Sequence, residues 1–197
     1  MKSLYYFIVK PLKDRYDNTR RVANTDLIIN SGIEDHRFIS KKAVVVSTPA
    51  AYTTKINVGD ELYIHHNIFR RWYDQKGKER NSSTYFKDDL YFVSLDQIYM
   101  YNLKPHLDYC FVKPLKNQSL LENRKEQPNV GIIKYSNKSL EALGITPETL
   151  ITFTPNSEFE FIIEGERLYC MKSNDIALTH EYQGNEEENN PSWAKGS

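Results

Sequence analysis

Tyr6-Phe7-Ile8-Val9-Lys10-Pro11-Leu12-Lys13, near the start of the chain, returns as Tyr109-Cys110-Phe111-Val112-Lys113-Pro114-Leu115-Lys116. Five identical residues behind an aromatic apolar run mark an internal repeat, and more blocks follow in the same order. Ala43-Val44-Val45-Val46 matches Gly131-Ile132-Ile133-Lys134, and Asp60-Glu61-Leu62-Tyr63-Ile64 matches Glu148-Thr149-Leu150-Ile151-Thr152 at the same offset. Leu90-Tyr91-Phe92-Val93 with Ile98 matches Leu168-Tyr169-Cys170-Met171 with Ile176. Four collinear blocks point to a tandem duplication. The first copy is 15 residues longer between its first two blocks and 10 longer between its last two.

The blocks are short, rich in Val, Ile, Tyr and Phe, and separated by Asn, Asp, Gly, Pro or Ser, which reads as strands joined by turns. Helical periodicity is confined to short turns at Ser94 to Ile98 and Ser139 to Gly144. The expected fold is all-β: two tandem small β-barrels, over 1–104 and 105–182, because closure removes the exposed edges of so small a sheet. Residues 183–197, rich in Glu and Asn, have a composition that predicts a disordered acidic tail.

The chain has 197 residues, 40% of them hydrophobic, and 26 basic against 26 acidic side chains. A neutral total excludes a basic nucleic-acid coat, but it hides a split: residues 1–105 carry 17 basic and 12 acidic groups, residues 106–197 carry 9 and 14. The apolar run at the N-terminus is shorter than a signal-peptide core, and no stretch approaches the ~20 apolar residues that span a bilayer, so a soluble cytoplasmic protein is expected. Cys110 and Cys170 sit apart in apolar runs and read as buried free thiols. No nucleophile elbow, zinc-protease motif or phosphate loop occurs, so neither catalysis nor a cofactor is expected. Adjacent His65 and His66 would point to opposite faces of a strand, and His36, His106 and His180 lack ligand spacing, so no metal site is expected. Glu158 and Glu160 read as an ordinary polar strand face.

The order of Val9 to Leu12, the apolar triplet Leu27-Ile28-Ile29 within a long polar loop, Ala43 to Val46, Val58-Gly59-Asp60-Glu61-Leu62, and Tyr91 to Ile98 resembles the GroES-type co-chaperonin family. The second copy resembles the family's last block more closely, in Leu168 to Leu178. Tandem and divergent phage-encoded members of that family exist. The resemblance implies partly open barrels assembled as a ring, which caps a GroEL-type chaperonin and encloses an unfolded client. The nucleotide is bound and hydrolysed by the chaperonin. A flexible loop on each barrel would dock an apolar tripeptide on the partner.

By that resemblance the docking loop is Asp14 to Lys42 and its tripeptide is Leu27, Ile28 and Ile29; the competing reading makes the triplet an ordinary buried strand. Thr25-Asp26 stands where the family often has glycine. The loop of the second copy, Asn117 to Val130, offers only Leu120 and Leu121 as a further contact. The polar run Asp14 to Arg21 is expected to be disordered. Arg70, Arg71, Trp72 and Tyr73, with Lys76, Lys78 and Arg80 beyond, admit three readings: a lining of the ring's cavity, a hairpin covering the barrel end, or a single-stranded nucleic-acid contact that stacks bases and tracks phosphates. A structural or adaptor use of the barrel, as in a virion, is the remaining alternative.

Overall fold

Each repeated block is a strand. The computed structural model describes residues 3–16, 19–22, 25–28, 35–117, 126–181, 184 and 186–196, with backbone only at 19–22, 25–28, 195 and 196. The chain divides into two compact units, Met1–Leu103 and Lys104–Ser197. The first holds β1 (Phe7–Pro11), β2 (Thr19–Val22), β3 (Thr25–Ile28), β4 (Lys42–Ser47), β5 (Glu61–Ile64), β6 (Arg71–Tyr73), β7 (Glu79–Asn81), β8 (Tyr85–Lys87), β9 (Leu90–Val93) and β10 (Ile98–Tyr101). The second holds β11 (Lys104–Pro105), β12 (Tyr109–Lys116), β13 (Glu126–Tyr135), β14 (Leu150–Phe153), β15 (Phe159–Ile163), β16 (Glu166–Lys172) and β17 (Ile176–His180). One short α-helix, α1 (Lys138–Glu141), occurs among the described residues, and the chain is otherwise predominantly β.

The two units repeat one topology. In the first, neighbouring strands run β10-β5-β4-β1-β9-β8; in the second, β17-β14-β13-β12-β16-β15. Every one of these pairs is antiparallel. Val9 pairs with Val45 and Tyr91, as Val112 pairs with Ile133 and Tyr169. Even the irregularities recur, since register breaks at Ile8/Val9 in one copy and at Phe111/Val112 in the other. Among the described residues neither sheet closes on itself.

The ladders correct one sequence match. Leu62 pairs with Ala43, and its counterpart opposite Gly131 is Ile151, not Leu150. The third block is thus shifted by one residue, and Gly59 corresponds to Glu148. Both have left-handed backbones, with φ of 91° and 68°, and both donate their N–H to the preceding strand, at Val45 O (2.9 Å) and Ile133 O (2.8 Å). Glycine reaches that conformation freely, whereas glutamate is strained there. The extra residue of the second copy lies in the segment that carries α1.

Alternation decides the core. In β4 and β9 the inward residues are Ala43 and Val45, Tyr91 and Val93. With Phe7, Val9, Leu62, Ile64 and Phe69 they form the first core. The second core uses the matching positions Cys110, Val112, Ile133, Ile151, Phe153 and Met171. Each such large side chain contributes about 1.5–3 kcal/mol when buried. Cys110 and Cys170 are buried and unpaired, and burial pushes the Cys110 thiol up to about 12. No described helix is long and apolar enough to cross a membrane.

The C-terminal segment corrects the expectation of disorder. Glu188 bridges Leu115, the Lys116 N–H donates to Glu187 O (2.8 Å), and the Asn189 N–H donates to Pro114 O (2.7 Å). Lys113 pairs with Glu188 at 2.7 Å and Lys116 with Glu187 at 2.9 Å. Ala194 is fully buried. The segment is short of apolar side chains, but β12 supplies backbone partners and two cations in place of a hydrophobic face.

Candidate functional site

The long excursion of the first unit leaves and re-enters through a defined root. Tyr16 bridges Ile39, the Ser40 N–H donates to Arg15 O (2.9 Å), and the Leu12 N–H donates to Lys42 O (3.1 Å). Within the excursion β2 and β3 form a two-stranded ladder, pairing Arg20 with Leu27 and Thr19 with Ile28. Leu27 and Ile28 therefore lie in β3. Ile29, Leu120 and Leu121 lie outside the described residues.

Disorder from Asp14 onward is corrected at Arg15 and Tyr16. The Arg15 guanidinium donates to Asn81 Oδ1 (3.0 Å) and Phe69 O (3.1 Å) and sits 5.3 Å from the centre of the Tyr91 ring. Tyr16 is 6% exposed. Its hydroxyl accepts from the Arg71 N–H at 2.9 Å, and the Arg71 guanidinium lies 4.6 Å from its ring centre. A cation over an aromatic ring is attracted by its quadrupole. These two side chains fasten the root of the excursion to a second hairpin, β6–β7.

That hairpin pairs Arg71 with Asn81, Trp72 with Arg80 and Tyr73 with Glu79. Its turn is closed by Asp74, whose carboxylate accepts from the N–H groups of Lys76 (3.0 Å) and Lys78 (2.9 Å) and from Arg80 Nε (2.9 Å). The backbone bond from Lys78 is the main cause that holds the Asp74 carboxyl below its usual range. Arg71 pairs with Glu79 at 3.1 Å. Trp72 and Tyr73 are exposed, and Trp72 Nε1 donates to Asn81 O (3.3 Å). Strand alternation puts these two aromatics on opposite faces of the ribbon. Glu79 and Asp74 pair with Arg71 and Arg80, while Arg70, Lys76 and Lys78 are exposed and enter no ion pair among the described residues.

The histidines also differ from expectation. His65 follows β5 and opens a 3-10 turn, with its Nδ1 accepting from the Asn67 N–H (3.1 Å), so strand alternation does not apply. The rings of His65 and His66 stack at 4.5 Å, and His36, on the returning limb of the excursion, lies 5.7 Å from His66. Burial first, then His65, Lys41, His36 and Arg70, push His66 down to about 4. The described residues hold no His, Cys, Asp or Glu group arranged for a metal.

A folded pKa below the unfolded value of 6.5 gives stability that is complete above pH 6.5 and is lost as pH falls toward 4. The first unit is thus expected to melt at lower temperature at pH 4.5 than at pH 7.5, and His66→Gln should flatten that part of the dependence. Scanning calorimetry of both proteins at several pH values checks this; parallel curves would refute it.

Arg15 and Tyr16 were hidden because they lie in a polar run and their partners are more than fifty residues away. The lysines of the repeated motif were visible, but nothing local linked them to Glu187 and Glu188. No family model and no curated protein matches the chain.

Proposed function

We propose that the protein is a tandem GroES-like co-chaperonin of the cytoplasm, which caps a GroEL-type chaperonin ring and so encloses an unfolded client. Each unit acts as a small, partly open β-barrel, and the chains assemble head to tail as a ring. The reading rests on one observation above all: a unit with the repeated topology carries, between its first two core strands, a long excursion closed at a rigid root and bearing Leu27, Ile28 and Ile29. An apolar triplet held this way can add to a groove or sheet edge of the partner. Ordering such a segment costs about 2–5 kcal/mol, which keeps a single contact weak. Several copies on a ring recover affinity through effective concentration and still release together. Nucleotide binding and hydrolysis belong to the chaperonin in this scheme.

The test mixes the protein with a GroEL-type chaperonin and ATP or ADP and looks for capped particles by electron microscopy and co-sedimentation. Leu27→Ser, Ile28→Ser and Ile29→Ser together should abolish capping while leaving the melt within ~0.5 kcal/mol of wild type, because β3, which holds Leu27 and Ile28, is outside the main sheet. Absence of capping, or capping that survives the triple replacement, would exclude the proposal.

A further inference from the structure

The motif Val-Lys-Pro-Leu-Lys occurs twice, and the two copies differ in what lies on them. In the second unit the segment Glu187-Glu188-Asn189 runs along Pro114 to Lys116 as an added strand. It takes the Lys116 N–H and gives an N–H to the Pro114 carbonyl, and two consecutive carboxylates meet Lys116 and Lys113. Lys113, which also meets Glu148 at 3.2 Å, has a side chain only 12% exposed. In the first unit the matching groups are Lys10, Pro11 and Lys13. The inward side of this strand end is used as in its twin, since the Leu12 N–H donates to Lys42 O (3.1 Å). On the other side, pairing of β1 with β9 stops at Val9, as pairing of β12 with β16 stops at Val112. Lys10 and Lys13 are exposed and enter no ion pair among the described residues. On that side no described residue bridges Leu12 as Glu188 bridges Leu115, and none bonds the Pro11 carbonyl or the Lys13 N–H as the segment bonds Pro114 and Lys116.

We infer that Val9 to Lys13 is a docking site for an extended acidic peptide of a partner protein, taken up by strand addition with two consecutive carboxylates on Lys10 and Lys13. The chemistry of the occupant is set by the twin site, where the chain's own acidic segment lies on the matching residues Lys113, Pro114, Leu115 and Lys116. Its source follows from stoichiometry: the chain has one such acidic segment and two such motifs, and its own segment already fills the second. The site in the first unit is the simpler of the two. In the second unit the segment is also held beyond its carboxylates, where Asn190 Oδ1 accepts the Arg167 backbone N–H (3.2 Å); Asp89 stands at the matching position of the first unit. The inference is independent of the capping proposal.

The probe is a fluorescein-labelled peptide of the chain's own sequence 184–194, titrated into the full-length protein and followed by anisotropy. One peptide per chain should bind, less tightly as salt rises. Lys10→Glu with Lys13→Glu should weaken it roughly tenfold or more, and Gln in place of the carboxylates matching Glu187 and Glu188 should do the same. Both lysines are exposed, so an unchanged melt separates lost binding from misfolding. Lys113→Glu should leave the peptide's affinity unaltered. Absence of saturable binding, indifference to the Lys10 and Lys13 changes, or loss through Lys113→Glu would each overturn the inference. So would self-association of the wild type that those changes abolish, because the occupant would then be the tail of a second copy.

Discussion

Gly131→Ala is expected to destabilise the second unit by about 1–3 kcal/mol, the range for overpacking a filled interior, and Gly131→Val by more. A Cβ on Gly131 would collide with Val112 Cγ1 and lie 2.7 Å from the Lys113 carbonyl oxygen. Neither obstacle yields easily: Val112 is fully buried in the core, and the carbonyl belongs to the neighbouring strand. The reason is space, not backbone freedom, since Gly131 does not have a positive φ. The twin position supplies the control. Ala43 sits opposite Pro11 as Gly131 sits opposite Pro114, and there a Cβ is accommodated and fully buried. Each kcal/mol should lower the melting of a unit this size by roughly 4–8 °C. Calorimetry, with amide exchange along β13 to assign the loss to the second unit, measures it. A melt within a degree of wild type would mean that β12 and β13 can separate to admit the methyl group, contrary to the packing described.

The same pair of positions shows what was legible beforehand. Repeated apolar blocks announced β1, β4, β9 and β10 with their twins, because burial of alternate residues leaves a pattern in composition. The third block slipped by one because Leu150 and Ile151 are both apolar and both buried, so hydropathy cannot choose between them. The deciding feature, a left-handed residue, is a glycine in one copy and Glu148 in the other, and glutamate gives no signal of it. The acidic tail was misjudged for a related reason. Its order comes from β12, some seventy residues away, and composition reports only what a segment can bury by itself.

The site was legible to a different degree. Leu27 and Ile28 stand out by their apolar character amid polar neighbours, and Arg71, Trp72 and Tyr73 by their cation–aromatic clustering. Their partners were not visible, and the partners decide what these groups can do. Glu79 and Asp74 neutralise two arginines of the hairpin, and alternation separates Trp72 from Tyr73. The surface that looked like one basic aromatic patch is two faces of a ribbon, and its root serves to hold the neighbouring excursion.

Replacement of Tyr16 tests that last role. Tyr16→Ala is expected to cost about 3–5 kcal/mol, as truncation of a buried aromatic does. It removes the ring beneath Arg71 and a member of the first core, and it weakens the root at Ile39. Tyr16→Phe keeps the ring and the backbone bond from Ser40 to Arg15 and removes the hydroxyl that accepts the Arg71 N–H. Its cost should be about 1–3 kcal/mol, the penalty for a partly buried donor left without its acceptor. The two variants therefore separate packing from the hydroxyl bond. In Tyr16→Phe, exchange of the Arg71 amide should quicken while that of Ser40 stays near its wild-type rate; in Tyr16→Ala both should quicken, because both hairpin roots loosen together. Equal and small losses in denaturant, or an Arg71 amide indifferent to the hydroxyl, would mean that the excursion and β6–β7 are anchored separately. If the anchoring is shared, a pull on either hairpin is felt at the other's root, since the neighbouring side chains Arg15 and Tyr16 carry the contact between them.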